Sequence, residues 1–308
     1  MSKRIIITGA TGFIGKVLCR QLVEEGYDVM ALSRNPEKGT ESLPNQVKAI
    51  KWDSRTSEGW ANYAEGAYAI INLAGENIGA GRWTQRKKHR ILGSRLNAGK
   101  AVVEAVEQIE NRPKVVIQAS GIGYYGDRGD EVLDESSSPG YGFLTEVAKP
   151  WEESTKKVES FGVRHVIIRT GVVLGSHGGF LSRVTLPFRL FVGGRLGSGR
   201  QWISWIHIDD EARAIRFLME KEDLQGVFNL TAPNPLTSRD FFSLLGKVMK
   251  RPSWLPVPGF ALRLVLGEMA KGLILSGQRA MPTRLLESEY EFLYSDAKSA
   301  LREILTAS

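Results

Sequence analysis

The chain has 308 residues, 42% hydrophobic and 24% charged with 33 glycines, enough apolar material for a large core in one or two domains. Its single cysteine, Cys19, excludes an intrachain disulfide and any multi-cysteine metal site, and the dispersed His89, His165, His177 and His207 show no ligand spacing, so no metal is expected. The net charge of +7 is read as spread along the chain and is accounted for by an anionic small ligand, with neither nucleic acid nor a membrane expected as partner.

The N-terminal MSKRIIITG reads as a first strand and not as a secretory segment, and no stretch reaches the roughly 20 uninterrupted apolar residues of a spanning helix. A cytoplasmic protein is expected, and a homodimer is allowed for. Strand patterns follow at 4–8, 28–33, 47–52, 69–73, 115–119 and 165–170. Helical patterns at 14–25, 84–108 and 145–160 are long enough for right-handed crossovers between parallel strands. This alternation predicts an α/β fold, a Rossmann-like doubly wound parallel sheet with a smaller C-terminal substrate domain. After Gly171 the pattern becomes irregular and Gly-rich, with GSHGG at 175–179 and GGRLGSG at 193–199, then an extended WISWIHIDD run at 202–210. Thr237-Ser-Arg-Asp240 has the spacing of a capping box opening a further helix, which Pro252, Pro256 and Pro258 separate from the C-terminal region. The division expected is a nucleotide-binding domain over 1–172, to which 203–232 returns, and a smaller domain from 173–202 and 233–308.

In IIITGATGFIG, residues 5–15, a β-branched strand runs into GxxGxxG and then an amphipathic helix. Gly9 permits the tight turn, Gly12 lets the backbone approach a pyrophosphate, and Gly15 lets helix pack on strand. Thr11, Phe13 and Ile14 complete this cofactor loop. A site preferring NAD usually carries an acid at the end of the second strand; here that end reads Ser33-Arg34. Arg34 can pair bidentately with a 2′-phosphate, and Ser33 and Lys38 can add contacts, so NADP(H) is the expected cofactor. The alternative is that Arg34 and Lys38 are simply surface cations. Asp53 is placed near the adenine, and Leu73, Ala74 and Gly75 put small residues where the dinucleotide must pass. The basic run Arg86–Arg90 reads mainly as a solvated helix face, with an anion contact as the alternative.

TGATGFIG, NLAG at 72–75, Ser120, YYG at 124–126 and HIDD at 207–210 together resemble the extended short-chain dehydrogenase/reductases, which include sugar-nucleotide epimerases. GRW at 81–83, SR at 94–95, ASGIGYYG at 119–126, FLTEVAKPWE at 143–152, GSGRQWISWIHIDD at 197–210 and SGQRAMP at 276–282 narrow the resemblance to an atypical branch. Its members are called epimerase family proteins, sometimes putative cell-division inhibitors, and end in a domain of unknown function. The resemblance implies a catalytic Ser at Ser120 and an acid/base Tyr with a Lys four residues later. Leu144 and Ala148 stand at those two positions, with Lys149 one residue off, and Arg95 fills a position the branch often gives to Arg, implied here to contact the cofactor.

Tyr124 and Tyr125 are therefore the candidate replacements for the proton donor. Tyr125 also matches a substrate-lining position, and Arg195, Arg200, Trp202 and His207 match positions contacting the substrate and its phosphate; the alternatives are packing for the two tyrosines and, for His207 in its apolar strand, a satisfied buried histidine. Two functions follow: an NADP(H)-dependent oxidoreductase or epimerase-like enzyme for a small oxygenated substrate, anionic or nucleotide-linked, or a non-catalytic NADP(H)-sensing regulator, for example in cell division.

Overall fold

A computed structural model describes residues 3–176 and 178–306, so His177 lies outside the described residues. Seven strands, β1 (Arg4–Thr8), β2 (Asp28–Ser33), β3 (Lys48–Lys51), β4 (Ala69–Asn72), β5 (Val115–Gly121), β6 (Arg164–Thr170) and β7 (Gly226–Leu230), form one sheet. Its order is β7-β6-β5-β4-β1-β2-β3 and every pairing is parallel. Among the described residues, eight α-helices of eight or more residues frame it and its C-terminal extension: α1 (Phe13–Glu24), α2 (Gln85–Glu107), α3 (Phe143–Glu153), α4 (Leu181–Arg189), α5 (Ile208–Glu220), α6 (Ser238–Met249), α7 (Gly259–Leu266) and α8 (Ala297–Thr306).

Successive isoleucines of β1 show why this sheet is covered on both faces. Ile5 and Ile7 pack into one core with Leu18 and Leu22 of α1 and Ile215 and Leu218 of α5. Ile6 points the other way, into a core with Ile70, Val102 and Val106. The chain runs outward from β1 to β2 and β3, then returns to β4 on the opposite side of β1. This reversal leaves a crevice beyond the strand ends of β1 and β4, where open α/β sheets bind ligands.

The chain after β6 builds a further apolar core apart from the two that cover the sheet. It joins Leu174, Phe188, Trp205, Phe241, Phe242 and Leu301. A short parallel pair, Val172–Leu174 with Trp205–His207, leads the chain into it and back. The run 202–210 is thus not extended throughout: it makes two short strands and becomes helical at Ile208, because His207 caps α5 by accepting the Asp209 N–H at 3.2 Å. Likewise the helical pattern over 145–160 divides. Ser154 turns its hydroxyl onto the Trp151 carbonyl at 2.6 Å, α3 stops at Glu153, and Lys156–Phe161 continues as a 3₁₀ turn. The capping box at Thr237 forms, its hydroxyl accepting the Asp240 N–H at 3.2 Å at the start of α6. No helix among the described residues is long and apolar enough to cross a membrane.

Candidate functional site

The glycine loop is built by contacts that only glycines permit. Gly9 has φ +70°, and a Cβ there would lie 2.8 Å from the Leu73 carbonyl group; at Gly15 it would lie 2.4 Å from the Gly9 carbonyl oxygen. Gly12 donates its N–H to Gly9 at 2.9 Å and stands as the N-cap of α1, where no side chain satisfies the first turn. That leaves an uncapped helix N-terminus at the crevice, the arrangement that accepts a phosphate. A buried chain fixes its floor: Thr8 Oγ1 donates to Asn72 Oδ1 at 2.6 Å and accepts the Ala74 N–H at 3.1 Å, and the Asn72 amide donates to Gln118 at 2.8 Å. Thr11 and Gly12 are exposed, and Phe13 and Ile14 half-buried. The Phe13 ring meets the Gly-rich segment that follows β6, where a Cβ on Gly175 or Gly179 would stand 2.9 or 2.8 Å from it.

Beyond β2 the crevice widens into a cleft of about 660 Å³ lined by Arg34, Asp53, Arg55, Glu76, Arg86, His89 and Arg90, among others. Arg34 and Lys38 are exposed. Ser33 bonds back to Asn35, its hydroxyl accepting the N–H at 3.2 Å. Thr11 and Ser33 close around Gly39, where a Cβ would meet them at 3.3 and 3.2 Å. The two acids are already engaged. Asp53 accepts the Arg55 and Thr56 N–H groups at 2.8 and 2.9 Å, capping its own turn. Glu76 is held below the usual carboxylate range by its 2.6 Å bond from Lys87, despite some desolvation, with Arg90 at 3.6 Å. The basic stretch of α2 contributes Arg86, His89 and Arg90 to the cleft wall, a placement that the solvated-face reading did not foresee.

Arg95 lies beneath Gly75, whose added Cβ would stand 3.0 Å from the guanidinium carbon. It donates to the carbonyls of Glu76 (3.1 Å) and Ile91 (2.9 Å) and lies over the Trp151 ring at 4.5 Å. Its Nε has no partner among the described residues, and burial lowers its pKa to about 10.

Ser120, at the end of β5, donates to Glu152 of α3 at 2.7 Å. Neither spacing nor resemblance had singled out Glu152 or Arg169, yet they form a buried two-point pair, with Arg169 Nε and Nη2 donating to the two carboxylate oxygens at 2.8 and 2.9 Å. An acid on α3 one turn beyond Ala148, and an Arg directly after the apolar Val166-Ile167-Ile168 of β6, were the available signals. The Arg169 guanidinium lies 3.4 Å from the centre of the Tyr124 ring.

The two tyrosines separate. Tyr124 is half-buried, whereas Tyr125 is fully buried, donating to Asn229 at 2.7 Å and accepting from Arg169 at 3.1 Å, with burial pushing its pKa up to about 12. Tyr125 is therefore covered and held by its partners, the packing role, and presents no phenol to solvent. Leu144 packs against Gly123, where an added Cβ would be 2.9 Å from its own, and Ala148 is buried while Lys149 is exposed.

Among the expected substrate contacts, His207 takes its alternative, a buried histidine with partners. It is 1% exposed, bonds Glu303 of α8 at 3.0 Å and stacks on Tyr294, so it joins α5 to the C-terminal helix. Trp202 is half-buried, its indole donating to Asp130 at 2.8 Å under the Arg279 guanidinium. Arg200 is exposed and Arg195 half-buried beside Gly199.

The NAD-dependent epimerase/dehydratase family matches residues 5–231, and a domain of unknown function, DUF1731, matches 257–304. The epimerase family protein YfhF of Bacillus subtilis is 40% identical over 98% of this chain and 97% of its own. A chloroplastic homologue of the epimerase family protein SDR39U1 from Arabidopsis thaliana is 41% identical over 98% of this chain and 86% of its own. Among solved structures, the human epimerase family protein SDR39U1, crystallised with NADPH, superposes with a TM-score of 0.90 at 32% identity, covering 99% of this chain and 100% of its own.

Proposed function

This chain belongs to the NAD-dependent epimerase/dehydratase family, in the epimerase family protein branch with its C-terminal DUF1731 domain, and from that premise we propose that it is an NADP(H)-dependent oxidoreductase or epimerase-like enzyme acting on a small oxygenated substrate, anionic or nucleotide-linked. The observation that carries this reading is the cleft beyond β2. It presents Arg34, Arg55, Arg86 and Arg90, while the carboxylates of Asp53 and Glu76 are taken up by a turn and by Lys87. Both acids already have partners, and several guanidinium groups can surround a 2′-phosphate.

The residues present fit the dinucleotide. Gly9, Thr11 and Gly12 with the uncapped start of α1 would hold its pyrophosphate, Ser33, Arg34 and Lys38 its 2′-phosphate, and Leu73 to Gly75 over Arg95 its ribose side. The human relative crystallised with NADPH supports this assignment. When bound, the nicotinamide supplies a hydride donor or acceptor. The chain supplies the rest. Tyr124 is the phenol left to exchange a proton with substrate oxygen once Tyr125 is set aside. Ser120, its own proton directed at Glu152, offers the substrate an acceptor oxygen, and Arg195 and Arg200 are the cations for a substrate anion.

Screening oxygenated metabolites, sugar nucleotides included, by NADPH absorbance with wild type, Tyr124→Phe and Ser120→Ala tests the catalytic part. Turnover that falls in both variants while NADPH binding persists is expected; turnover unchanged in both would remove these residues from the mechanism. A non-catalytic NADP(H) sensor is the second reading. It is favoured by Leu144 and Val147, which join Trp83, Ile91 and Met269 in an apolar cluster where the family pair would stand. Robust binding with no turnover of any substrate would favour it.

A further inference from the structure

The most apolar helix has no fully covered residue among the described ones, and only its last, Leu266, packs against the cluster of Trp83, Ile91 and Met269. In α7, GFALRLVL, five of eight residues are large hydrophobics, yet none of the eight is buried, and Phe260, Leu264 and Val265 are 74%, 76% and 63% exposed. Ahead of it, residues 251–256 are all exposed, Trp254 at 64%. This segment joins the end of α4: Trp254 donates its indole N–H to the Phe191 carbonyl at 3.1 Å, Leu255 closes against Gly194, and Leu196 bridges to Val257. Leu190 and Phe191 there are 63% and 54% exposed. An adjoining apolar surface of this kind marks a place where something else sits.

Charge identifies the occupant. The two segments that build the surface, 181–200 and 241–267, hold eight Lys and Arg and no Asp or Glu; with Arg195 and Arg200 given to the substrate and Arg183 turned onto the Gly79 carbonyl, the exposed Arg189, Lys247, Lys250, Arg251 and Arg263 remain for it. The face around α7 is thus locally basic, as is the stretch 77–103, which has seven Lys and Arg and no Asp or Glu. Arg251 lies 4.5 Å over the Phe191 ring, and Arg263 is exposed on α7 between Phe260 and Leu264. A second copy of this chain would bring the same cations to the contact and repel. An anionic lipid surface matches both features, taking aromatic and aliphatic side chains at its headgroup boundary and neutralising the flanking guanidinium and ammonium groups.

We propose that α7 with the adjoining Trp254 and Phe191 region is a peripheral docking surface for an anionic membrane, lying on it and not crossing it. The test is co-sedimentation of the full chain with phosphatidylcholine vesicles, with and without phosphatidylglycerol. Binding only to the anionic vesicles, weakened by added salt, is expected. Phe260→Ser with Leu264→Ser should weaken it by about tenfold or more, since two apolar side chains lose their burial, while NADPH binding and the melting temperature stay those of wild type. Absence of binding to anionic vesicles overturns the proposal. Binding untouched by the double substitution also overturns it, because simple charge attraction would then suffice. A concentration-dependent dimer that the same substitutions dissociate, without vesicle binding, assigns the surface to a second copy and overturns it too.

Discussion

Glu211 is fully buried on α5, accepting one bond, from Thr170 at 2.7 Å, while its second oxygen has no partner among the described residues; burial raises its pKa to about 8. A carboxyl raised in the folded state favours folding below its ordinary value and loses that contribution as pH climbs through about 8. Glu211→Gln should therefore be more stable than wild type at about pH 9, on the order of 2 kcal/mol, with the gap closing at about pH 4; denaturant melts at both values check this, and a gap independent of pH would contradict it. The tyrosine pair divides in the same residue-level way. Tyr125→Phe strands buried partners at Asn229 and Arg169 and should cost about 1–3 kcal/mol of stability, whereas Tyr124→Phe should leave stability within about 0.5 kcal/mol and act on turnover. Equal destabilisation by both would remove that distinction. The YYG motif could not separate the two phenols, because adjacent residues at a strand exit face different surroundings and only the packed sheet decides which is covered.

At the scale of elements, the Glu152–Arg169 pair ties α3 to β6, next to the edge strand β7, with Ser120 of β5 as third member. Arg169→Met leaves a buried carboxylate without its cation and should cost about 3–5 kcal/mol, while the Glu152→Leu/Arg169→Met double variant should lose less than that single one. Additive losses in a double-mutant cycle would argue against a coupled pair. Gly15→Val belongs to this scale too, because its Cβ would sit 2.4 Å from the Gly9 carbonyl and push α1 off β1. A loss of about 1–3 kcal/mol in stability together with weakened NADPH binding is expected, and calorimetry measures both. These elements were largely legible in advance. Strands at 4–8 and 28–33 begin and end where apolar periodicity places them, and the glycine loop follows from spacing. The break in α3 and the conversion of 202–210 into strand and helix were not, since they depend on Ser154 and His207 bonding neighbours that periodicity does not reveal.

Over the whole molecule, the candidate site is an assembly of distant segments, and that limited what could be read ahead. Gly9 to Arg34 lie together in sequence and were readable as a dinucleotide frame. The opposite wall, Arg86, His89 and Arg90, comes from the first half of α2, and its role appears only when the sheet order places β4 beside β1. The grouping of exposed cations beside α7 was similarly hidden, because net charge sums over segments without locating them. The central claim is that the cationic cleft beyond β2 selects a 2′-phosphorylated dinucleotide. It is tested most directly by calorimetric titration of wild type and Arg34→Ala with NADPH and NADH. NADPH should bind wild type at least about tenfold more tightly than NADH, and Arg34→Ala should erase most of that difference by weakening NADPH alone. Equal affinities for the two cofactors in wild type, or a loss in Arg34→Ala shared equally by both, would contradict it.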